Sequence, residues 1–104
     1  MIVTMGETVP GREVSKVLRT VKGNTVRTRF FGRDIMAALR NLIGGEVPEY
    51  TKLMAEAREQ ALDRMIADAE AIGADAIISM RVTTSMIMGG SAELLAYGTA
   101  VHLQ

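Results

Sequence analysis

The stretch from Pro48 to Ile72 constrains the fold more than any other part of the chain. It contains no glycine and no proline after Pro48, and it is rich in Ala, Glu, Arg, Leu and Met, the residues of highest helix propensity. Pro48 suits the first helical position, because the N–H that proline lacks would have no helical partner there. Gly73 directly follows Ile72 and suits the left-handed residue that ends many helices. The stretch predicts one helix of about seven turns.

The apolar side chains of this helix cover a wide arc. At 100° per residue the arc spans roughly 180°, whereas about 100° is enough to cover a single core. Its members are Tyr50, Met54, Ala57, Ala61, Leu62, Met65, Ile66, Ala69 and Ile72. The width predicts that the helix covers its own sheet and also a neighbouring chain. Arg58 interrupts the arc and Asp68 lies near its edge, and we expect the Arg58 guanidinium to meet a carboxylate or backbone carbonyls.

The residues before the helix are typical of short strands and turns. Ile2 to Met5 predicts a short strand, and Pro10-Gly11 a turn. Glu13 to Lys22 is rich in β-branched residues and predicts a second strand. Gly23-Asn24 suits a two-residue type II′ turn, with Thr25 to Phe30 as the returning strand of a hairpin.

A shorter helix and a second hairpin complete the predicted elements. Helical spacing over Arg33 to Ile43 predicts the shorter helix. Two long strands, Ala74 to Met88 and Glu93 to Gln104, flank the turn signal Gly89-Gly90 and predict an antiparallel hairpin. Alternation along the first strand places six residues on one face, namely Ile78, Met80, Val82, Thr84, Met86 and Met88. In the second strand it separates Leu95, Tyr97, Thr99, Val101 and Leu103 from Ala96, Gly98, Ala100 and His102.

Length and composition exclude several classes of protein. The 104 residues predict a single domain over residues 1–104. The 12 basic and 12 acidic residues cancel, so no basic excess favours nucleic acid or an anionic membrane surface. No apolar run approaches the ~18 residues of a membrane span, and the N-terminal residues lack the pattern of a signal peptide. The chain has no cysteine, which excludes disulfides and thiolate metal sites. We expect a cytoplasmic protein.

The candidate metal ligands are Glu56, Glu59, Asp63 and His102. Glu56, Glu59 and Asp63 lie at i, i+3 and i+7 on the polar side of the helix, with Glu70 further along. Like charges at this spacing destabilise a helix by roughly 0.2–0.5 kcal/mol per pair, so the stripe is either a solvated face or a site for a hard cation such as Mg²⁺ or Ca²⁺. His102 is the only histidine; it is either a solvated or interface residue or a metal or acid–base group.

Other polar and sulfur-containing residues predict structural roles. Met80, Met86 and Met88 share one strand face, which indicates core or interface packing, with Cu(I) binding as the alternative. Asp75 is expected to accept hydrogen bonds from backbone groups where the helix turns into the next strand. No nucleophile–base set is visible, and no cofactor is implied, so the sequence does not predict an enzyme.

Several short motifs, in this order, resemble the YbjQ family over essentially the whole chain. They are Arg33-Asp34, RNLIGGE at 40–46, Tyr50, EAR at 56–58, RM at 64–65, GADAII at 73–78 and YGTAV at 97–101. That family comprises small uncharacterised bacterial proteins, often labelled as heavy-metal-binding. The resemblance implies an α+β fold, with an antiparallel sheet packed by one long and one shorter helix, assembled as a ring-shaped homopentamer. It implies no established enzyme activity.

Together, the residues and the resemblance predict an oligomeric binding or scaffold protein with an unknown ligand. The alternative function is metal binding. In either case a metal ion or small molecule is expected between subunits, because one chain without cysteine and with one histidine offers few ligands for a soft metal.

Overall fold

The part of the chain that the structure describes forms a four-stranded sheet with one long helix on it. The structure is a computed structural model that describes residues 1–27, 48–87 and 91–104. Within them the elements are β1 (Ile2–Val3), β2 (Val14–Arg27), α1 (Pro48–Ala71), β3 (Ala76–Ile87) and β4 (Ser91–Leu103). The strand order is β1-β3-β4-β2. The predicted α+β class is confirmed, while the predicted shorter helix over Arg33 to Ile43 lies outside the described residues.

Helix α1 forms where the sequence predicts it. It begins at Pro48 and ends at Ala71, one residue before the predicted end. Gly73 has a φ of 74° and donates its N–H to the Glu70 carbonyl at 3.0 Å, while the Ala74 N–H donates to the Ala69 carbonyl at 3.1 Å. This pair of bonds is a Schellman motif, which satisfies carbonyl groups that a helix end otherwise leaves without partners.

The predicted hairpin of β3 and β4 is confirmed, but the sheet is mixed rather than antiparallel. β3 pairs antiparallel with β4, and β4 antiparallel with β2. β1 lies parallel to β3, with Ile2 opposite Ala76 and Val3 opposite Ile77. Since these two strands are far apart in the chain, no tight turn dictates their direction.

The prediction of a hairpin turn at Gly23-Asn24 was wrong, because β2 runs through both residues. Gly23 lies opposite Ala96 of β4, and the strand continues to Arg27. A Cβ built on Gly23 would lie 2.3 Å from the Ala61 carbonyl oxygen and 2.3 Å from the Met65 nitrogen of α1. Glycine is therefore required here by the close approach of the helix backbone rather than by a turn. The last three residues of the predicted returning strand lie outside the described residues.

A bulge in β3 changes the predicted faces of that strand. The register shifts between Ile78 and Arg81, and Ser79 adopts a φ of 53°, as in a bulge with a left-handed first residue. Ile77, rather than Ile78, therefore packs with Met80 and Val82 beneath the helix. The assignment of Ile78 to that face was wrong, because alternation from sequence assumes an unbroken strand.

Gly98 of β4 makes room for this bulge. A Cβ on Gly98 would lie 2.6 Å from Cγ2 of Ile77 and 3.1 Å from the carbonyl oxygen of Ile78. The alternation predicted for β4 itself is confirmed, since the residues facing the helix are buried from Ala92 to Ala100 at every second position.

Two apolar clusters lie on opposite faces of the sheet. The main cluster lies between the sheet and α1 and contains Val21, Ala61, Met65, Ala69, Ile77, Ala96 and Ala100. The smaller one lies at the opposite face, where Val9 covers Ala76, Val101 and Leu103. The width of the apolar arc predicted contact with a neighbouring chain, yet the alanines of the arc, Ala57, Ala61 and Ala69, are fully buried within this chain.

Candidate functional site

A shallow, charged hollow lies between the first half of α1 and the end of β2. Its volume is about 490 Å³, and its lining residues are Arg27, Ala55, Glu56, Arg58, Glu59, Gln60 and Asp63. Three of the four predicted metal ligands thus line one surface, because residues three and four apart share a helix face. The carboxylates of Glu56, Glu59 and Asp63 are all exposed.

Arg27 forms the sheet side of the hollow. It is the last residue of β2 and lies opposite Ala92, on the helix-facing side of the sheet. Its Nη2 donates to Oε1 of Gln60 at 2.7 Å, which ties the end of β2 to α1. Among the described residues, its Nε is buried and has no hydrogen-bond partner. Two guanidinium groups, those of Arg27 and Arg58, therefore share the hollow with the carboxylates and oppose the binding of a cation.

Among the described residues Arg58 has no ion-pair partner. The sequence placed it in the apolar arc and predicted that its guanidinium meets a carboxylate or backbone carbonyls, but the side chain is exposed. The sheet lies beneath Ala57 and Ala61, which are fully buried. Arg58 lies on a different side of the helix and stays in contact with solvent. The described residues therefore do not bury this guanidinium, and a partner from a neighbouring chain stays a prediction.

His102 lies beside Asp75 at the other end of the sheet. Oδ2 of Asp75 accepts the Leu103 backbone N–H at 2.9 Å and lies 3.3 Å from Nδ1 of His102. The Leu103 N–H is the main reason that the pKa of Asp75 lies below its ordinary value, and the contact with His102 lowers this pKa further. The prediction that Asp75 accepts a backbone N–H is correct, but the donor belongs to β4 rather than to the turn.

The four predicted metal ligands do not form one site within the chain. In the sheet register Arg27, beside the hollow, pairs with Ala92, whereas His102 pairs with Lys16 at the opposite end of β2 and β4. In the parts of the chain that the structure describes, no three Asp, Glu or His side chains are grouped so that they could hold a metal ion. A site that used both the helix carboxylates and His102 would need more than one copy of the chain.

The three methionines of the predicted strand have different surroundings. Met80 is half-buried and packs on the main cluster, as predicted for a core methionine. Met86 is 72% exposed, so within a single chain it has no core role. Met88 lies outside the described residues.

A further set of charged contacts, which the sequence did not predict, joins β2 to α1. Arg19 of β2 forms a two-pronged ion pair with Asp68 of α1, with N–O distances of 2.9 and 3.1 Å. Asp68 also accepts the backbone N–H of Lys22 at 3.2 Å. These contacts, the Arg19 bond first, lower the pKa of Asp68, and the same bond raises the pKa of Arg19. The position of Asp68 at the edge of the apolar arc was the available signal.

Arg64 reaches the same strand edge, and Arg19 makes a further bond there. Arg19 donates through Nη1 to the carbonyl of Thr20 at 3.1 Å, and Arg64 donates through Nη1 to the carbonyl of Asn24 at 2.6 Å. Three outer backbone groups of β2 are therefore bonded to charged side chains, namely the carbonyls of Thr20 and Asn24 and the N–H of Lys22. We call this set of Arg19, Arg64 and Asp68 the β2 cap.

The described residues contain no helix that is both long and apolar enough to cross a membrane.

Comparisons with known proteins match the whole chain. A family model described as "Putative heavy-metal-binding", YbjQ_1, matches residues 1–104. A protein named UPF0145 from Archaeoglobus fulgidus is 55% identical, over 100% of this chain and 96% of its own length. Another from Thermotoga maritima is 52% identical, over 100% and 98%. A third, from Vibrio campbellii, is 50% identical, over 99% of both chains. The relatives include an archaeal protein, so the family is wider than the bacterial one that the resemblance implied.

A solved structure supports the fold. The crystal structure of a protein of unknown function from Pediococcus pentosaceus, assigned to the DUF74 family, superposes with a TM-score of 0.65. It is 15% identical in sequence and covers 100% of this chain and 98% of its own. At that identity the likeness bears on the fold alone. The full-length family match and the relatives at about half identity show that the chain belongs to the YbjQ (UPF0145) family.

Proposed function

We propose that the protein is a cytoplasmic, homo-oligomeric binding or scaffold protein that assembles as a ring of five chains and has no catalytic role. Its ligand, a metal ion or a small molecule, binds where subunits meet.

The one-sided covering of an elongated sheet carries this proposal. The molecule measures 54 × 23 × 17 Å, and its radius of gyration is 17.1 Å, against about 13 Å for a compact chain of this length. Within residues 1–27, 48–87 and 91–104, helix α1 packs on one face only, and Val9 covers the other face at one end. Apolar side chains that remain exposed include Val17 at 60%, Val26 at 46% and Met86 at 72%. Association with further copies would bury such surface.

Cyclic symmetry explains how one chain could cover another without leaving a free end. In a ring each copy offers the same two surfaces, and every copy is covered in the same way. The number five comes from the family resemblance. The hollow beside Arg27 and the pair of His102 and Asp75 lie near opposite ends of the sheet, so a neighbouring copy could complete either surface.

Native mass spectrometry of protein purified without chelator tests the proposal, because it reports stoichiometry and bound mass together. We expect a single assembly of five 11.2 kDa chains, with additional mass if a ligand is retained. A spectrum that contains only single chains would refute the proposed assembly.

Metal binding is the second candidate function, and the family description and the three carboxylates of the hollow favour it. Because the chain has no cysteine, we expect no sub-micromolar site for Zn²⁺, Cd²⁺ or Hg²⁺ within a single subunit. Calorimetric titration of the wild type with each ion measures this directly.

Two variants locate any site that is found. Glu59→Gln changes the hollow, and His102→Asn changes the opposite end of the sheet. Binding that Glu59→Gln alone abolishes would place the metal at the helix. Binding that both variants weaken would require a site built from more than one chain.

A further inference from the structure

The two outer strands of the sheet present very different edges. Between Thr20 and Asn24 the β2 cap bonds the outer edge of β2, where Asp68 binds the Lys22 N–H and Arg64 binds the Asn24 carbonyl. On the other side, β1 pairs with β3 only over Ile2 and Val3. The residues that follow β1 bond β3 as far as Met80, whose N–H donates to the Thr4 carbonyl at 3.1 Å.

The hydrogen-bond pattern shows which backbone groups of β3 point outward beyond Met80. The Lys22 N–H donates to Asp68, so Lys22 does not bond to Tyr97, the residue opposite it in β4. In an antiparallel sheet the backbone groups of Tyr97 then point to β3, where Arg81 is their partner. Alternation continues this pattern, so that Val82, Thr84 and Met86 direct their N–H and C=O groups away from β4. The outward N–H of Met80 agrees with this assignment.

The edge of β3 from Val82 to Met86 has none of the features that protect exposed edges. Its sequence is VTTSM, with no charged residue, no proline and several β-branched residues. Within the described residues no strand and no side chain bonds its outward groups, and Met86 is the most exposed large apolar residue. By contrast, the β2 edge carries Arg19 and Lys22 and is bonded to the helix.

We infer that the edge of β3 from Val82 to Met86 is the surface through which one copy of the chain pairs with the backbone of a second copy. This inference rests on the proposed oligomer and adds its location. The partner is an extended segment of the neighbouring chain, which bonds the outward groups of Val82, Thr84 and Met86 and covers the Met86 side chain. The capped edge of β2 does not take part between Thr20 and Asn24.

A matched pair of proline substitutions tests the inference. Thr84→Pro removes an outward N–H without removing a bond to β4, and Thr84 is exposed, so the subunit keeps its own sheet. Asn24→Pro makes the equivalent change at the capped edge. We expect light scattering to give Thr84→Pro a lower mass than wild type, down to the single chain of 11.2 kDa, and Asn24→Pro the wild-type mass. Circular dichroism checks that both variants fold.

Amide hydrogen exchange in the wild-type protein provides a second readout that does not depend on a variant folding. We expect the amides of Val82, Thr84 and Met86 to exchange at least tenfold more slowly in the assembly than in dissociated chains. Protection that persists in dissociated chains would show that the chain covers its own edge, and it would overturn the inference.

The outcomes separate the two proposals. A wild-type protein that is monomeric refutes the oligomer itself. A wild-type oligomer with fast exchange at Val82, Thr84 and Met86, or one whose mass Thr84→Pro leaves unchanged, refutes only the location. An assembly that is lost in Asn24→Pro and kept in Thr84→Pro would assign the interface to β2 instead.

Discussion

The two outer edges of the sheet face the same physical problem and meet it differently. Each strand edge has N–H and C=O groups that need partners, and an open edge pairs readily with other chains. Along β2 the partners are side chains of the chain itself, with Asp68 and Arg64 reaching over from α1. Along β3 beyond Met80, the described residues supply none. Within the described residues, the chain therefore bonds the middle of its β2 edge with its own side chains and leaves the β3 edge beyond Met80 without such bonds.

The β2 cap depends on how closely the helix lies on the strand. At Gly23 the backbones of β2 and α1 approach so closely that a Cβ would overlap two helix backbone atoms. Thr25, a residue that is 1% exposed, donates its hydroxyl to the Ala57 carbonyl at 3.0 Å, which also holds β2 against α1. Charged side chains of the helix reach the outer groups of β2 only because of this close approach.

Gly23→Ala should have the largest effect on the β2 edge and on stability, because it forces the helix away from β2. The overlap is with backbone, which cannot rotate aside, so we expect a loss of about 3 kcal/mol or more in the free energy of unfolding. Urea denaturation measures it. Gly6→Ala is the matched control, since its Cβ would lie 3.5 Å from the nearest atom, in ordinary contact. Equal stability of the two variants would contradict the close approach.

Asp68→Asn should open the capped edge with a smaller effect on stability. The change weakens the ion pair with Arg19. Because both side chains of this pair are partly exposed, we expect a loss of about 1 kcal/mol in the free energy of unfolding. Glu70→Gln, an exposed change on the same helix, should lose less. We also expect Asp68→Asn to form larger species, which sedimentation velocity would detect.

The same variant has a predictable pH dependence. Because the folded state lowers the pKa of Asp68, the ionised carboxylate stabilises the fold above the ordinary aspartate pKa of about 3.9. This stabilisation is lost as the pH falls through the lowered value. The stability difference between wild type and Asp68→Asn should therefore be constant near neutral pH and shrink in acid. A difference that grew in acid would contradict the assigned pair.

The two solvent-facing arginines of α1 should make slightly different contributions to the free energy of unfolding. Arg64→Met removes the donor to the Asn24 carbonyl and should lower the free energy of unfolding by about 1 kcal/mol. Arg58→Met, at an exposed position of the hollow, should lower it by less than about 1 kcal/mol. Urea midpoints of the two variants, measured side by side, rank them. A loss at Arg58 above that at Arg64 would show that the hollow, rather than the β2 cap, supports the helix.

Local rules predicted the elements whose causes are local. The helix from Pro48 and its glycine stop follow from propensity and capping, and the hairpin of β3 and β4 follows from alternation. The errors arose where a distant element decided the outcome. Gly23 serves the passing helix rather than a turn, and the bulge at Ser79 is accommodated by Gly98 on another strand.

The candidate sites show the same limit. Helical spacing correctly grouped Glu56, Glu59 and Asp63 on one surface, but it could not place Arg27 beside them. The pairing of Arg19 with Asp68 joins residues 49 positions apart and depends on how the helix lies over β2. No periodicity within either element contains that information.

If the edge of β3 from Val82 to Met86 joins copies of the chain, the wild-type protein is an assembly at micromolar concentration. Light scattering after gel filtration measures its mass. We expect a single species with the mass of five 11.2 kDa chains. A stable trimer or hexamer would contradict only the number five, whereas a monomer of 11.2 kDa would contradict the assembly and the role assigned to the β3 edge.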